Sequence, residues 1–160
     1  MSIDHPSSTG PGADYDLSLI IMKVESNGNS QAIRFEPQTY LNFAPNSNEL
    51  SLIDAIGRCN ACDFNTARVI FSTSFGRYQL MGFNVYSLGY SETIFDFVND
   101  ISAQNSIFAK FLRQNGIDET WDMLKNDPEK LLKFASVYNG PGNPQAYVTA
   151  MQNAAKGLNL

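Results

Sequence analysis

Residues 74–84, SFGRYQLMGFN, combine residue types that seldom stand together in a small acidic protein. A buried helix would not favour Gly76 or Gln79, and a solvated loop would not favour Tyr78 or Met81. Glycine lets another group approach the backbone closely, glutamine offers a neutral donor and acceptor, and aromatic rings offer flat apolar surface. The stretch therefore indicates a place where all three properties are needed together.

Length and charge limit the classes of protein to which this chain can belong. The chain has 160 residues, of which 43% are hydrophobic, enough for one compact domain with a core. We expect residues 1–13 to form a disordered leader and residues 14–160 to form the folded domain. A net charge of -5 without a basic stripe argues against nucleic acid as a partner, and it gives no attraction to anionic membranes or cell walls.

The sequence shows no apolar run long enough for membrane insertion, and its first residues lack the basic and apolar regions of a secretory signal. We therefore expect the protein to stay in the cytoplasm where it is made until something releases it.

The two cysteines, Cys59 and Cys62, form a C-x-x-C pair, which can be a redox motif or half of a zinc site. The only histidine, His5, lies in the predicted leader, and there is no second C-x-x-C pair to complete a zinc site. The pair also falls inside a predicted helix. We expect buried, chemically inert thiols, and neither a metal nor another cofactor.

Apolar periodicity and end signals predict five or six helices. The first runs from Asp14 or Asp16 to Glu25, where SNGNS ends it. The next segment, QAIRFEPQTY, alternates apolar and polar residues, which predicts a short strand or extended segment ended near Pro37. The other predicted helices are NELSLIDAIGRCNACDFNTARVI, with a break near Gly57 or between Asp63 and Asn65, and three that run from Ser91 to Gly116, from Asp127 to Gly140 and from Asn143 to Gly157. We therefore expect one mainly α domain with a small extended or β element.

Glu25 is the strongest candidate for catalysis. It ends an apolar helix, where the negative end of the helix dipole and partial burial both favour the protonated carboxyl. A carboxyl that keeps its proton near neutral pH can act as a general acid toward a glycosidic oxygen. The alternative is a glutamate that extends into water from a frayed helix end.

Three further stretches supply the groups that a sugar-binding groove uses, namely neutral amides, a phenol and aromatic surface. ESNGNSQAIRFEP adds a second carboxylate, SFGRYQLMG offers one wall of the groove, and VYNGPG places a tyrosine and an asparagine at the exposed end of a helix. The candidate residues are Glu36 as a second catalytic group, and Ser74, Gly76, Tyr78, Gln79, Met81, Tyr138 and Asn139 as substrate-binding groups.

These stretches, in this order, resemble known enzymes. VES at 24–26, SFGRYQLMG at 74–82 and YNGP at 138–141 are similar to motifs of goose-type lysozymes and lytic transglycosylases. The resemblance is closer to the N-acetylmuramidase domain of bacteriophage endolysins, in ESNGN…IRFEPQTY and TSFGRYQLMGFN, and it spans residues 17–150. It departs from the family pattern at Phe75, where tryptophan is usual, and at Pro37-Gln38, where Arg-His is usual.

The resemblance implies a lysozyme-like fold and hydrolysis of the β-1,4 bond between N-acetylmuramic acid and N-acetylglucosamine in peptidoglycan, with Glu25 as general acid. Glu36 is either the base that activates water or a surface partner of Arg34. Ser74 and Gly76 are expected to shape a turn. Two other functions stay open: a lytic transglycosylase that gives 1,6-anhydro ends, and a non-catalytic glycan-binding or structural protein. The implied partner is peptidoglycan, reached after holin-dependent release or with a virion, and the protein is expected to be a monomer.

Overall fold

The computed structural model describes residues 13–160, so the predicted leader lies outside the described residues except for Ala13. These residues fold mainly into helices, with one antiparallel sheet of strand order β1-β2-β3. The prediction of a single, mainly α domain with a small β element is confirmed. The elements are α1 (Tyr15–Ser26), β1 (Ile33–Phe35), α2 (Pro37–Leu41), α3 (Ser47–Asn60), α4 (Phe64–Phe71), β2 (Thr73–Phe75), β3 (Leu80–Met81), α5 (Gly82–Ser87), α6 (Ile94–Asn99), α7 (Ile101–Gln114), α8 (Trp121–Lys125), α9 (Pro128–Tyr138) and α10 (Pro144–Leu158).

Helix α1 forms as its sequence predicts. The side chain of Asp14 caps it by accepting a hydrogen bond from the backbone N–H of Leu17 at 3.0 Å. Three residues of its apolar stripe, Leu17, Ile20 and Ile21, are fully buried in the core. The helix ends where Asn27 adopts a left-handed conformation, with a φ of 54°. Glu25 therefore lies in the last turn of a helix that the core holds firmly.

The three strands bring distant parts of the chain onto one surface. The predicted extended segment is confirmed as β1, which pairs with β2 so that Arg34 lies opposite Ser74. Strand β2 pairs in turn with β3, placing Ser74 opposite Met81. Because residues directly opposite each other in a sheet point to the same side, Arg34, Ser74 and Met81 share one face. We call this face, defined by these three residues, the Arg34 face.

Two of the predicted helices are divided in the structure. The long segment that precedes β2 is divided, as predicted, but the break lies at residues 61–63, where Ala61 is left-handed and Asp63 caps α4. The two predicted places are corrected, since α3 continues through Gly57 and α4 has already begun at Phe64. The helix predicted from Ser91 is corrected: Thr93 caps α6, and Asp100 caps a separate helix α7. The cause is Asp100, whose extended backbone ends the first helix while its carboxylate satisfies the N–H of Ala103.

The remaining differences concern short elements and one helix end. Helices α2, α5 and α8 have five or six residues each and were not predicted. Asp127 caps α9 as expected, whereas α10 continues through Gly157 and ends when Asn159 adopts a left-handed conformation. No helix in the described part of the chain combines the length and the apolarity that a membrane crossing requires.

Candidate active site

Glu25 is held by a residue that the sequence analysis did not single out. The hydroxyl of Tyr147 donates a hydrogen bond to Glu25 Oε1 at 2.5 Å, across 122 positions of sequence. Tyr147 is 7% exposed and Glu25 is half-buried. This bond fixes one carboxyl oxygen of Glu25, and it leaves Oε2 as the oxygen that can exchange a proton with a ligand.

The packing of α10 explains why Tyr147 reaches Glu25. Asn143 caps the helix by accepting a hydrogen bond from the N–H of Ala146, and Pro144 occupies the first turn. Tyr147 then begins a buried stripe that continues through Val148 and Met151 and packs α10 against α1 and α9. Sequence alone does not distinguish such a tyrosine from an ordinary core aromatic, because both follow the same helical spacing.

Several neighbours set the protonation state of Glu25. Burial, the largest effect, raises the pKa of its carboxyl above the ordinary value, and the negative charge of Glu36 acts in the same direction. The hydrogen bond from Tyr147 and the positive charge of Arg34 lower this pKa but do not cancel the effect of burial. Burial also raises the pKa of Tyr147, so its phenol stays a proton donor. The result is a carboxyl that keeps its proton to higher pH than a free glutamate.

The turn between β2 and β3 is fastened to the end of α1. Ser26 Oγ donates a hydrogen bond to the carbonyl of Arg77 at 2.8 Å, and the N–H of Arg77 donates to Gln104 Oε1 at 2.9 Å. Gln104 is 1% exposed, and its amide also donates to the carbonyl of Ser30 at 3.0 Å. The hairpin, α7 and the loop after Glu25 are therefore connected through one buried side chain.

Gly76 and Gln79 have a structural explanation within this turn. Gly76 has a φ of +76°, and a Cβ there would lie 2.6 Å from Gln104 Oε1, so the close approach predicted at this glycine is to Gln104. Gln79, with a φ of 49°, donates from Nε2 to the carbonyls of Ala32 and Gly76. Its amide stabilises the turn, and no hydrogen bond joins it to Glu25 among the described residues.

The expectation that Tyr78 contacts a sugar is corrected. Its side chain is 2% exposed, and its ring stacks on Phe108 with 3.9 Å between centroids. Burial raises the pKa of Tyr78 to about 12.

Ser74 is also buried. Its Oγ lies 3.3 Å from Glu36 Oε1 and 3.1 Å from Met81 Sδ, so it contacts two side chains of the site. Of this stretch, the half-buried Met81 can still contact a ligand.

Glu36 directly follows β1 and forms an ion pair. Its Oε1 lies 2.6 Å from Arg34 Nε, with 30% of the Glu36 side chain and 59% of the Arg34 side chain exposed. The predicted alternative of a surface partnership with Arg34 is thus observed. The role of Glu36 as a base stays a prediction.

Tyr138 and Asn139 separate into a packed residue and an exposed one. Tyr138 is half-buried between aromatic rings, with its ring centroid 5.8 Å from that of Phe134 and 6.0 Å from that of Tyr147. Its hydroxyl donates a hydrogen bond to the carbonyl of Tyr78 at 2.8 Å. The description of Tyr138 as poised at an exposed terminus is therefore corrected. Asn139 is exposed, and its side-chain amide makes no hydrogen bond within residues 13–160. It is available to a ligand.

The two cysteines and a surface cavity lie where α3 meets α4. Cys59 and Cys62 are free and half-buried, so the expectation of buried thiols is corrected. Burial raises the pKa of the Cys62 thiol, which makes it less reactive. Residues 13–160 contain no cluster of three or more His, Cys, Asp or Glu that could hold a metal ion. A cavity of about 350 Å³ at the α3–α4 corner is lined by Ile53, Asp54, Gly57, Arg58, Ala61, Cys62 and Phe64.

Comparison with known proteins gives two matches that agree. A family model described as N-acetylmuramidase matches residues 56–159, which include the hairpin and Tyr147. The endolysin of Enterobacteria phage PRD1 is 40% identical over 129 residues, covering 79% of this chain and 87% of that protein. No solved structure matches. On the family match and this identity, the chain belongs to the N-acetylmuramidase family of peptidoglycan-degrading enzymes.

Proposed function

We propose that this muramidase hydrolyses the β-1,4 bond between N-acetylmuramic acid and N-acetylglucosamine, with Glu25 as general acid. The observation that carries the proposal is the half-buried carboxyl of Glu25, with its raised pKa and its hydrogen bond from Tyr147. This is the environment that lets a carboxylic acid donate a proton near neutral pH.

In the proposed reaction, Glu25 Oε2 gives its proton to the glycosidic oxygen as the bond to the muramic acid carbon breaks. Negative charge then develops on Glu25. The hydrogen bond from Tyr147 and the positive charge of Arg34 stabilise it, because both favour the ionised carboxyl. General acid catalysis of this kind contributes about 100- to 10,000-fold to a rate.

Glu36 is the proposed base that activates the attacking water. Its Oε1 is occupied by Arg34 and lies near Ser74, so Oε2 is the oxygen left for water. If Glu36 acts as a base, its carboxyl and that of Glu25 should lie roughly 6.5–9.5 Å apart on either side of the scissile bond. If Glu36 acted as a nucleophile instead, the two carboxyls should lie about 5 Å apart.

The proposed substrate is a peptidoglycan glycan strand that crosses the Arg34 face. Asn139 and Met81 are the accessible candidates for contact with the sugars, since an amide can hydrogen-bond an acetamido group and a thioether can pack against a ring. We propose that the enzyme acts as a monomer on the cell wall, after release from the host cytoplasm or delivery by a virion.

The test is Glu25→Gln, measured as the rate at which purified protein clears a suspension of sacculi. We expect loss of about 100-fold or more, with the fold retained, because glutamine keeps the shape but cannot donate the proton. Glu129→Gln, at an exposed glutamate in the first turn of α9, is the matched control and should keep full activity. Clearing by Glu25→Gln at nearly the wild-type rate would refute the proposal.

A further inference from the structure

The guanidinium of Arg34 uses only part of its hydrogen-bonding capacity. Its Nε contacts Glu36 Oε1 at 2.6 Å, and no hydrogen bond reaches its two terminal nitrogens from any residue within 13–160. The side chain is 59% exposed. The free edge of the guanidinium is therefore available to a ligand.

Arg34 lies within electrostatic range of the proposed proton donor. Arg34 is on β1, directly opposite Ser74, and shares the Arg34 face with Met81. Its positive charge acts on both Glu25 and Tyr147, which places it within electrostatic range of the reacting groups. A ligand that bound the free edge would therefore lie on the face that the proposed glycan strand crosses, within electrostatic range of Glu25.

The planar fork of a guanidinium matches a carboxylate, which it can bind through two parallel N–H···O bonds. In the proposed substrate, the muramic acid residue carries a lactyl arm with a peptide that bears free carboxylates, whereas N-acetylglucosamine carries no charge. We propose that Arg34 binds a carboxylate of the peptide attached to the muramic acid at the cleavage site and so selects peptide-bearing strands. This inference rests on the proposed function.

The Arg34–Glu36 pair is compatible with this role. Substrate binding does not require the pair to break, because Glu36 occupies Nε and the carboxylate would occupy the terminal nitrogens. A substrate anion bound there would also add negative charge near Glu25, which acts on its carboxyl in the same direction as Glu36. The bound anion would thus favour the protonated Glu25 before the reaction, and the hydrogen bond from Tyr147 would remain to stabilise the charge that develops on Glu25 as the bond breaks.

The experiment combines a variant with a modified substrate. Intact sacculi are compared with sacculi whose carboxylates have been capped as amides with a carbodiimide and glycinamide. We expect capping to reduce kcat/KM of the wild type about fivefold, which is the scale of one partly exposed ion pair. Arg34→Gln should be at least fivefold slower on intact sacculi, because it also removes the positive charge that stabilises the ionised Glu25, and it should show no further loss on capped ones. Arg34→Lys should recover part of the selectivity, since it keeps the charge without the fork.

The matched control is Arg58→Gln, which removes the same charge from an exposed position in the last turn of α3. It should respond to capping as the wild type does. The inference is overturned if capping leaves the wild-type rate unchanged, or if Arg34→Gln loses as much rate on capping as the wild type. An active Glu25→Gln variant would instead refute the proposed function, and the two failures are therefore distinguishable.

Discussion

Tyr147→Phe tests how the site holds its acid. The substitution removes only the phenol oxygen that donates to Glu25 Oε1 at 2.5 Å, and it keeps a ring that packs 6.0 Å from Tyr138. Tyr147 is 7% exposed, so water cannot readily replace the lost hydroxyl. The variant should therefore fold and pack normally while Glu25 loses its fixed donor.

The expected loss follows from the charge on the acceptor. A hydrogen bond to a charged group contributes about 1.5–3 kcal/mol, and Glu25 becomes charged as it gives up its proton. If Tyr147→Phe loses most of this stabilisation of the transition state, kcat should fall about 10- to 100-fold. The effect on KM should be small, because Tyr147 contacts the acid and is not placed against the sugar.

The pH dependence gives a second readout. Burial raises the pKa of Glu25 and the bond from Tyr147 lowers it, so removing the bond should raise the pKa further and move the basic limb of the rate profile to higher pH. A carboxyl with a folded-state pKa above its unfolded value stabilises the fold fully below the unfolded pKa, and this contribution is lost as pH rises through the folded pKa. The stability difference between wild type and Tyr147→Phe should therefore widen as pH rises.

Steady-state rates and thermal unfolding across pH measure both effects. Tyr86→Phe is the control, since it removes a buried phenol that accepts from Asn60 and donates to the carbonyl of Glu92, among residues the site does not use. It should lower stability and leave kcat and the pH profile unchanged. A Tyr147→Phe enzyme with wild-type kcat and an unmoved basic limb would refute the assigned role.

Two other substitutions test the second carboxylate and the cysteines. Glu36→Gln should slow hydrolysis by about 100-fold or more if Glu36 activates water, and it should leave the fold intact because the side chain is only partly buried. An active variant would leave Glu36 as a partner of Arg34 alone. Cys59→Ser combined with Cys62→Ser should keep activity and cost about 1 kcal/mol of stability, measured by denaturant unfolding; stoichiometric metal in purified protein would contradict this expectation.

The parts of the fold that sequence predicted well depend on local signals. Helix α1 and the position of Glu25 follow from the Asp14 cap, an apolar stripe and the left-handed stop at Asn27. The division at Asp100 was missed because Val98 and Ile101 continue the helical spacing across it. The periodicity of apolar residues indicates which side of a helix faces the core, but it does not indicate where one helix ends and the next begins when both bury the same side.

The parts of the site that sequence missed depend on contacts between distant segments. The hydrogen bond between Tyr147 and Glu25 forms only when α10 packs on α1, so no local sequence pattern predicts it. Tyr78 was misread because it lies in a turn, where neither helical nor strand periodicity indicates which side chain is buried. Gly76 was read correctly as a point of close approach, but its neighbour, Gln104, lies on a helix far along the chain.

The most direct measurement of the central claim is mass spectrometry of the fragments released from purified sacculi. Hydrolysis by this muramidase with Glu25 as acid predicts fragments that end in reducing N-acetylmuramic acid, and almost no fragments from Glu25→Gln at the same protein concentration. Fragments that end mainly in 1,6-anhydromuramic acid or in reducing N-acetylglucosamine would contradict the proposed reaction. Undiminished release by Glu25→Gln would contradict the assignment of Glu25 as the acid.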